Sequence, residues 1–291
     1  MPFRRKSLEP PLYVVPAVFF LVSVMAYPLV YLIDLSFRKA RYLKPPMPYI
    51  GWENFKFVLT SDEFLNSLYN TFTWTVGSLV LTAFLGLTAA LLFNERFRGC
   101  NFFRVIILLP WIFPYVAAAI MWRFLLTHPF GHFNAWLTGM GLIHGDQGAL
   151  GSSQTAMTFA VLVNAWKHFP FLMLMLLSGL QGIPQEMYDA SKVDGANYLQ
   201  RLRWIILPML KPILLVSLLI FIIWSINAFS IVYLLTGGGP GSATEIITLY
   251  IYRISFIGLD FGYASAASII LFAIGLLFSL IYVSRMKEVL K

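Results

Sequence analysis

The sequence predicts an all-α polytopic membrane protein with six transmembrane helices, and three observations carry that expectation. Of its 291 residues, 59% are hydrophobic and 12% are charged, whereas soluble domains carry about 25% charge. Six apolar runs reach the roughly 20 residues needed to cross a hydrocarbon core of about 30 Å. No run alternates as a barrel strand does, so each must satisfy its own backbone polar groups as a helix.

The first run, Leu12–Ile33, follows Arg4-Arg5-Lys6, and Val24-Met25-Ala26 has the look of a cleavage site. The run exceeds the roughly 7–15 residues of a signal core, so it reads as an uncleaved span. Gly51-Trp52-Glu53-Asn54-Phe55 through Phe64-Leu65 mixes aromatics with acids and predicts a short helix along the membrane surface. The second and third spans are Phe72–Phe93 and Val105–Leu126, and the Gly- and Ser-containing stretch His128–Gln154 then reads as a long loop. The fourth span, Ala156–Leu177, contains Lys167. A lysine at membrane depth is expensive, so it faces a cavity, a partner or the interface. Pro170 loosens the local backbone, as suits a helix lining a pathway. The fifth and sixth spans are Ile213–Leu235 and Ala264–Val283, and residues 1–291 read as a single membrane domain. No internal repeat of useful length supports an inverted-repeat transporter.

Six spans place both termini on one side, and charge chooses which. With the N-terminus inside, the inner set comprises Arg4, Arg5, Lys6, Arg96, Arg98, Arg104, Lys192, Arg201, Arg203, Lys211, Arg285, Lys287 and Lys291, 13 of the 21 Lys and Arg residues. The bias favours cytoplasmic termini, against a local opposing cluster at Arg38–Lys44. The basic residues fall in short clusters beside apolar runs rather than in one nucleic-acid-binding block. Cys100 is the single cysteine, so no intrachain disulfide or cysteine metal cluster is expected. His128 and His132 are four apart, but Pro129 and Gly131 interrupt any helix that would align them. No metal site, catalytic constellation or bound cofactor is expected.

One inner polar stretch departs from the apolar rule. It reads Ile183-Pro184-Gln185-Glu186-Met187-Tyr188-Asp189-Ala190-Ser191-Lys192-Val193-Asp194-Gly195 and closes at Ile205-Ile206-Leu207-Pro208. Pro184 fits a first helical turn, Glu186 and Asp189 suit the positive end of a short helix, and Gly195 permits a change of direction. The acidic-small-small triplet Asp189-Ala190-Ser191, with Gly195, Ile205, Leu207 and Pro208 at fixed distances, resembles the EAA loop of ABC-importer permeases. Asp stands for the family's Glu, and Ser191 for its second Ala. The resemblance implies a type I importer-permease architecture in a bacterial or archaeal inner membrane. Its partners would be a second, sister permease subunit, two ATP-binding subunits and an extracytoplasmic solute-binding protein. Residues 181–209 would then be a cytoplasmic coupling loop, with Glu186, Asp189, Ala190, Ser191, Asp194 and Gly195 meeting the ATPase. No G-x-x-x-x-G-K-[ST] occurs in the chain, so ATP and Mg would sit on the partner ATPase.

A second segment narrows the family. Thr236-Gly237-Gly238-Gly239-Pro240, then Thr244 and Tyr250-Ile251-Tyr252-Arg253, resembles the T-x-G-G-P loop of maltose-type carbohydrate permeases, in the subunit that precedes its partner. Gly51-Trp52-Glu53-Asn54-Phe55 and Asn70-Thr71 also look like that group. The outer turn Gly238-Gly239-Pro240 ends a helix and lets backbone approach something closely. On the fourth span Lys167, His168 and Phe171 share a face. On the fifth, Phe221, Trp224, Ser225 and Ala228 share another, beside Asn227. In maltose-type permeases the matching positions form the sugar site, and aromatic faces with polar neighbours suit sugar C–H surfaces and hydroxyls. The expected function is therefore half of the translocation pathway of an ATP-driven carbohydrate importer working by alternating access. The alternatives are import of a glycerol phosphate-like anion, welcomed by Lys167 and His168, and a six-span membrane enzyme or scaffold; a passive channel would leave the polar loop without a use.

Overall fold

The computed structural model describes the backbone of residues 9–95, 97–143 and 148–289, and the side chains of 14–95, 97–143 and 148–286. Arg4, Arg5, Lys6, Arg96 and Lys291 of the charge count lie outside these residues, and Lys287 is described by its backbone alone. In chain order the helices are α1 (Glu9–Ser36), α2 (Glu53–Thr60), α3 (Asp62–Asn94), α4 (Cys100–Ile112), α5 (Tyr115–Leu126), α6 (His132–Gly139), α7 (Gly148–Gly151), α8 (Ser153–Gln181) and α9 (Gln185–Val193). There follow α10 (Tyr198–Arg201), a π-helical turn Leu202–Ile206, α11 (Leu207–Ile226), α12 (Ser230–Leu235), α13 (Ile247–Tyr252), a second π-helical turn Arg253–Ile257, and α14 (Phe261–Val289). No strand occurs among the described residues; extended pairing is limited to the isolated bridges Arg38–Tyr49 and Arg41–Asp260.

Among the described residues, five helical stretches are long and apolar enough to cross a membrane: Val14–Ser36, Asp62–Asn94, Ser153–Gln181, Tyr198–Ile226 and Phe261–Met286. The expected third span, Val105–Leu126, is not one straight helix. It is α4 and α5, meeting at an angle of 94° across Phe113-Pro114. Pro114 has no N–H to offer and holds Phe113 in an extended conformation (ψ 139°), so the helix stops there. The expected fifth span also stops early. Its helix ends at Ile226, where Asn227 leaves helical geometry (φ −89°, ψ 7°), and Ser230–Leu235 is a separate short helix. By contrast α8 runs unbroken through Pro170. The expected long loop before α8 holds α6 and α7, joined where Asn134 Oδ1 accepts from the Ala149 N–H at 2.8 Å.

Two compact units make up the chain. One comprises residues 1–61 and 251–273, the other 62–250 and 274–291. In the first, the Gly51-Trp52-Glu53-Asn54-Phe55 motif has a packing role. Trp52 and Phe55 lie 5.1 and 5.3 Å from the Phe37 ring, and Asn54 Nδ2 donates to the carbonyls of Ser36 (2.8 Å) and Arg38 (2.9 Å). One side chain thereby satisfies two carbonyls, one on the last residue of α1 and one just beyond it.

The second unit is organised by α3 against α8. Apolar burial does not drive association in lipid, so helices there pack through small residues that let backbones approach. Ser78, Thr82, Gly86 and Ala90, at i, i+4, i+8 and i+12, form such a stripe and are all buried. A β-carbon on Gly86 would lie 2.9 Å from that of Leu172. Below this stripe Phe93, Leu172, Leu176, Leu180, Ile183, Ile206 and Leu210 form one apolar cluster, with Tyr188 and Leu202 packed against it. That cluster seats the polar stretch 183–208 on the ends of α3 and α8.

Candidate substrate cavity and coupling helix

The two breaks lie beside the same face of α8 and leave a cavity of about 250 Å³ between them. Tyr115 reaches it from the start of α5, Asn164 and His168 from α8, Phe221, Trp224 and Ser225 from α11, and Asn227 from the second break. His168 is 4% exposed and fully engaged. Its Nδ1 lies 2.8 Å from the Asn164 carbonyl; a carbonyl only accepts, so this nitrogen carries the hydrogen. In the neutral ring Nε2 then accepts from the Tyr115 hydroxyl at 3.0 Å. The Phe221 ring meets the imidazole edge-on at 5.5 Å and Trp224 lies 6.2 Å from it. Among the residues that line this cavity, two carry a buried polar atom without a partner in the chain, Asn164 Nδ2 and Ser225 Oγ. Their residues are 1% and 3% exposed, and both line the cavity. A buried polar group left unmade costs about 1–3 kcal/mol, so both atoms gain from a partner that the chain itself does not supply.

Five of the seven expected pathway residues thus line one cavity: His168, Phe221, Trp224, Ser225 and Asn227. Lys167 and Phe171 do not. Lys167 turns toward the first break, where its ammonium donates to the Phe113 carbonyl (2.6 Å) and the Pro110 carbonyl (3.3 Å) and lies 4.4 Å over the Tyr115 ring. Phe171 is wedged between Trp111 (5.8 Å) and Trp224 (4.8 Å) and braces the aromatic wall from behind. Asn164 and Tyr115 were missed by the sequence reading. Asn164 sits one turn before His168, at i, i+4, i+7 with His168 and Phe171, and that spacing could have found it. Tyr115 had no such signal, because a straight third span gives no reason to aim it at α8.

The expected coupling segment is a real helix with a built ending. Gly195 takes the left-handed conformation (φ 74°). Its N–H donates to the Lys192 carbonyl (3.1 Å), and the Ala196 N–H donates to the Ser191 carbonyl (2.9 Å), the paired bonds of a Schellman ending. Glu186 and Asp189 are exposed, and so is Ala190. Asp189 accepts from Lys192 Nζ at 3.1 Å and Gln185 Nε2 at 3.3 Å, and these two donors hold its carboxyl below the usual carboxylate range. Asp194 is the C-terminal cap. Ser191 faces the other way; it is 5% exposed and donates to the Tyr188 carbonyl at 2.7 Å. Tyr188 anchors the helix, and its burial, helped by the Glu95 charge, pushes the phenol up. Met187, Val193 and Leu199 project outward from the same segment, Val193 being 88% exposed. These apolar groups stand beside the exposed carboxylates of Glu186 and Asp189.

The Gly238-Gly239-Pro240 turn does not line the cavity. Gly238 (φ 88°) approaches the chain itself: a β-carbon there would lie 2.9 Å from Leu249 Cδ2. Thr244 Oγ1 lies 2.7 Å from Thr236 Oγ1 and donates to the Gly239 carbonyl at 2.8 Å. Asn70 and Thr71 of α3 explain themselves here. Asn70 Nδ2 donates to the Ser242 carbonyl (2.8 Å), and Thr71 Oγ1 accepts from the Ile247 N–H (2.8 Å). One turn on, Trp74 Nε1 donates to the Ser225 carbonyl at 3.1 Å, holding the end of α11.

Residues 82–284 match the family described as the binding-protein-dependent transport system inner membrane component. The chain is 38% identical over 272 residues to the trehalose/maltose transport system permease protein MalF of Thermococcus litoralis, covering 94% of this chain and 90% of that one. It is 32% identical over 274 residues to the sulfoquinovosyl glycerol transport system permease protein SmoG of Agrobacterium fabrum, covering 93% and 88%. A bacterial ABC transporter that imports alginate has the same fold, with a TM-score of 0.83 at 24% identity over 96% of this chain and 95% of the other. With its membrane-length helices, its broken span and its polar segment ending in a Schellman turn, the chain belongs to the inner membrane components of binding-protein-dependent transport systems: it is a permease subunit of an ATP-driven importer, not an enzyme.

Proposed function

We propose that this subunit passes a neutral carbohydrate through the cavity between α5, α8 and α11. The observation that carries the reading is the pairing of two unpartnered polar atoms, Asn164 Nδ2 and Ser225 Oγ, with the aromatic wall of Phe221 and Trp224. Sugar rings offer apolar C–H faces to such a wall and hydroxyls to such atoms. At about 250 Å³ the cavity falls below the roughly 300–1,000 Å³ of whole ligand pockets. This fits half of a pathway, completed by a sister permease subunit.

The remaining parts follow from the same reading. The exposed face of α9, with Glu186, Ala190 and Val193, docks in a cleft of an ATP-binding subunit, which holds the ATP and Mg. Tyr188 and the apolar cluster beneath it carry the motion into α8 and α11, giving alternating access. The termini are cytoplasmic, as the charge bias favours, and a solute-binding protein delivers the sugar from outside. Import of an anionic polyol is the weaker reading, because no Lys or Arg lines the cavity and Lys167 is committed to backbone carbonyls. The complete assembly in proteoliposomes decides between them. ATP-driven uptake of neutral mono- and disaccharides, indifferent to excess glycerol phosphate, is the expected result; uptake of glycerol phosphate itself would overturn the proposal.

A further inference from the structure

We infer that Lys167 is the positioning residue of the broken third span: its ammonium stands in for the N–H that Pro114 lacks and so fixes Tyr115 against His168. In an unbroken helix the Pro110 carbonyl would accept from the N–H of residue 114. Proline has none, and the Phe113 carbonyl lies outside both helices. In lipid such carbonyls need a donor from elsewhere in the protein. Lys167 Nζ reaches both, at 3.3 and 2.6 Å, while only 1% exposed. It also lies 4.4 Å over the ring of Tyr115, the first residue beyond the break on the cavity side. One cation thus ties the end of α4, the start of α5 and the middle of α8 together, and the Tyr115 hydroxyl is held 3.0 Å from His168 Nε2 as a result.

The role of Tyr115 as a cavity wall rests on the proposed function, whereas the capping of the break does not, so two readouts separate them. The first is the spacing of spin labels on Phe102→Cys and Phe124→Cys, on either side of the break, in the assembled transporter with its other cysteines removed. The unmodified Lys167 should give one narrow distance distribution. Lys167→Gln, which still donates hydrogen bonds, should keep it, and Lys167→Met, which cannot, should broaden or shift it. The second readout is sugar uptake. Lys167→Met should raise the KM about tenfold, the effect of losing one well-placed polar contact, with Lys167→Gln restoring most of it. An unchanged distribution in Lys167→Met, or an equal disturbance in Lys167→Gln and Lys167→Met, would overturn the capping role. If Lys167→Met fails to assemble, normal behaviour of Lys167→Gln still supports it and failure of both refutes it. A changed distribution with an unchanged KM would retain the cap and refute the cavity as the sugar site.

Discussion

Asn164 shows how a single side chain can signal a guest. Its backbone carbonyl already serves His168, while its side-chain nitrogen is buried in the wall of the cavity with no partner in the chain. Asn164→Leu keeps the branched shape but removes the donor. A lost polar contact is worth about 1–3 kcal/mol, so the apparent affinity for sugar should fall roughly 5- to 150-fold at unchanged assembly, measured as the KM of uptake. A wild-type KM would remove Asn164 from the pathway. His168, Trp224 and Ser225 were legible because two apolar helices carried aromatic and polar groups at helical spacing. Lys167 was misread for a physical reason: a buried lysine announces that it has a partner, but not whether that partner is a ligand or an orphaned carbonyl.

Among the elements, α9 concentrates the testable geometry. Its ending needs a positive φ at Gly195, where a residue with a β-carbon loses about 1–2 kcal/mol and asparagine loses less. Nothing lies within 4 Å of the position a β-carbon would take there, so any effect is one of backbone conformation and not of crowding. Gly195→Val should lower both sugar uptake and the amount of ATPase that co-purifies, while Gly195→Asn should stay near the starting values. Equal behaviour of the two variants would contradict a role for the Schellman ending. The existence of this helix was readable from Pro184, Glu186, Asp189 and Gly195. Which face it buries was not, since Ala190 and Ser191 are neighbours of similar size, yet one is exposed and the other buried. The breaks in the third and fifth spans were hidden for a related reason: hydropathy counts apolar residues and is blind to an N–H missing at Pro114 or to a helix cap at Asn227.

For the molecule as a whole, run length and low charge content were enough to give a membrane protein of about six spans, because lipid leaves the backbone so few choices. What lipid does not dictate is where a helix bends, and here the bends create the cavity. The small-residue stripe of α3 holds α8, Trp74 holds the end of α11 and Lys167 holds the start of α5, so three helices meet around one space. The most direct test of sugar passage through that space is Trp224→Ala in the complete transporter, with uptake and ATPase co-purification measured on the same preparation. The account predicts that uptake falls at least about tenfold, as expected when an aromatic face leaves a binding site, while the ATPase co-purifies in full. Wild-type uptake by Trp224→Ala would contradict it.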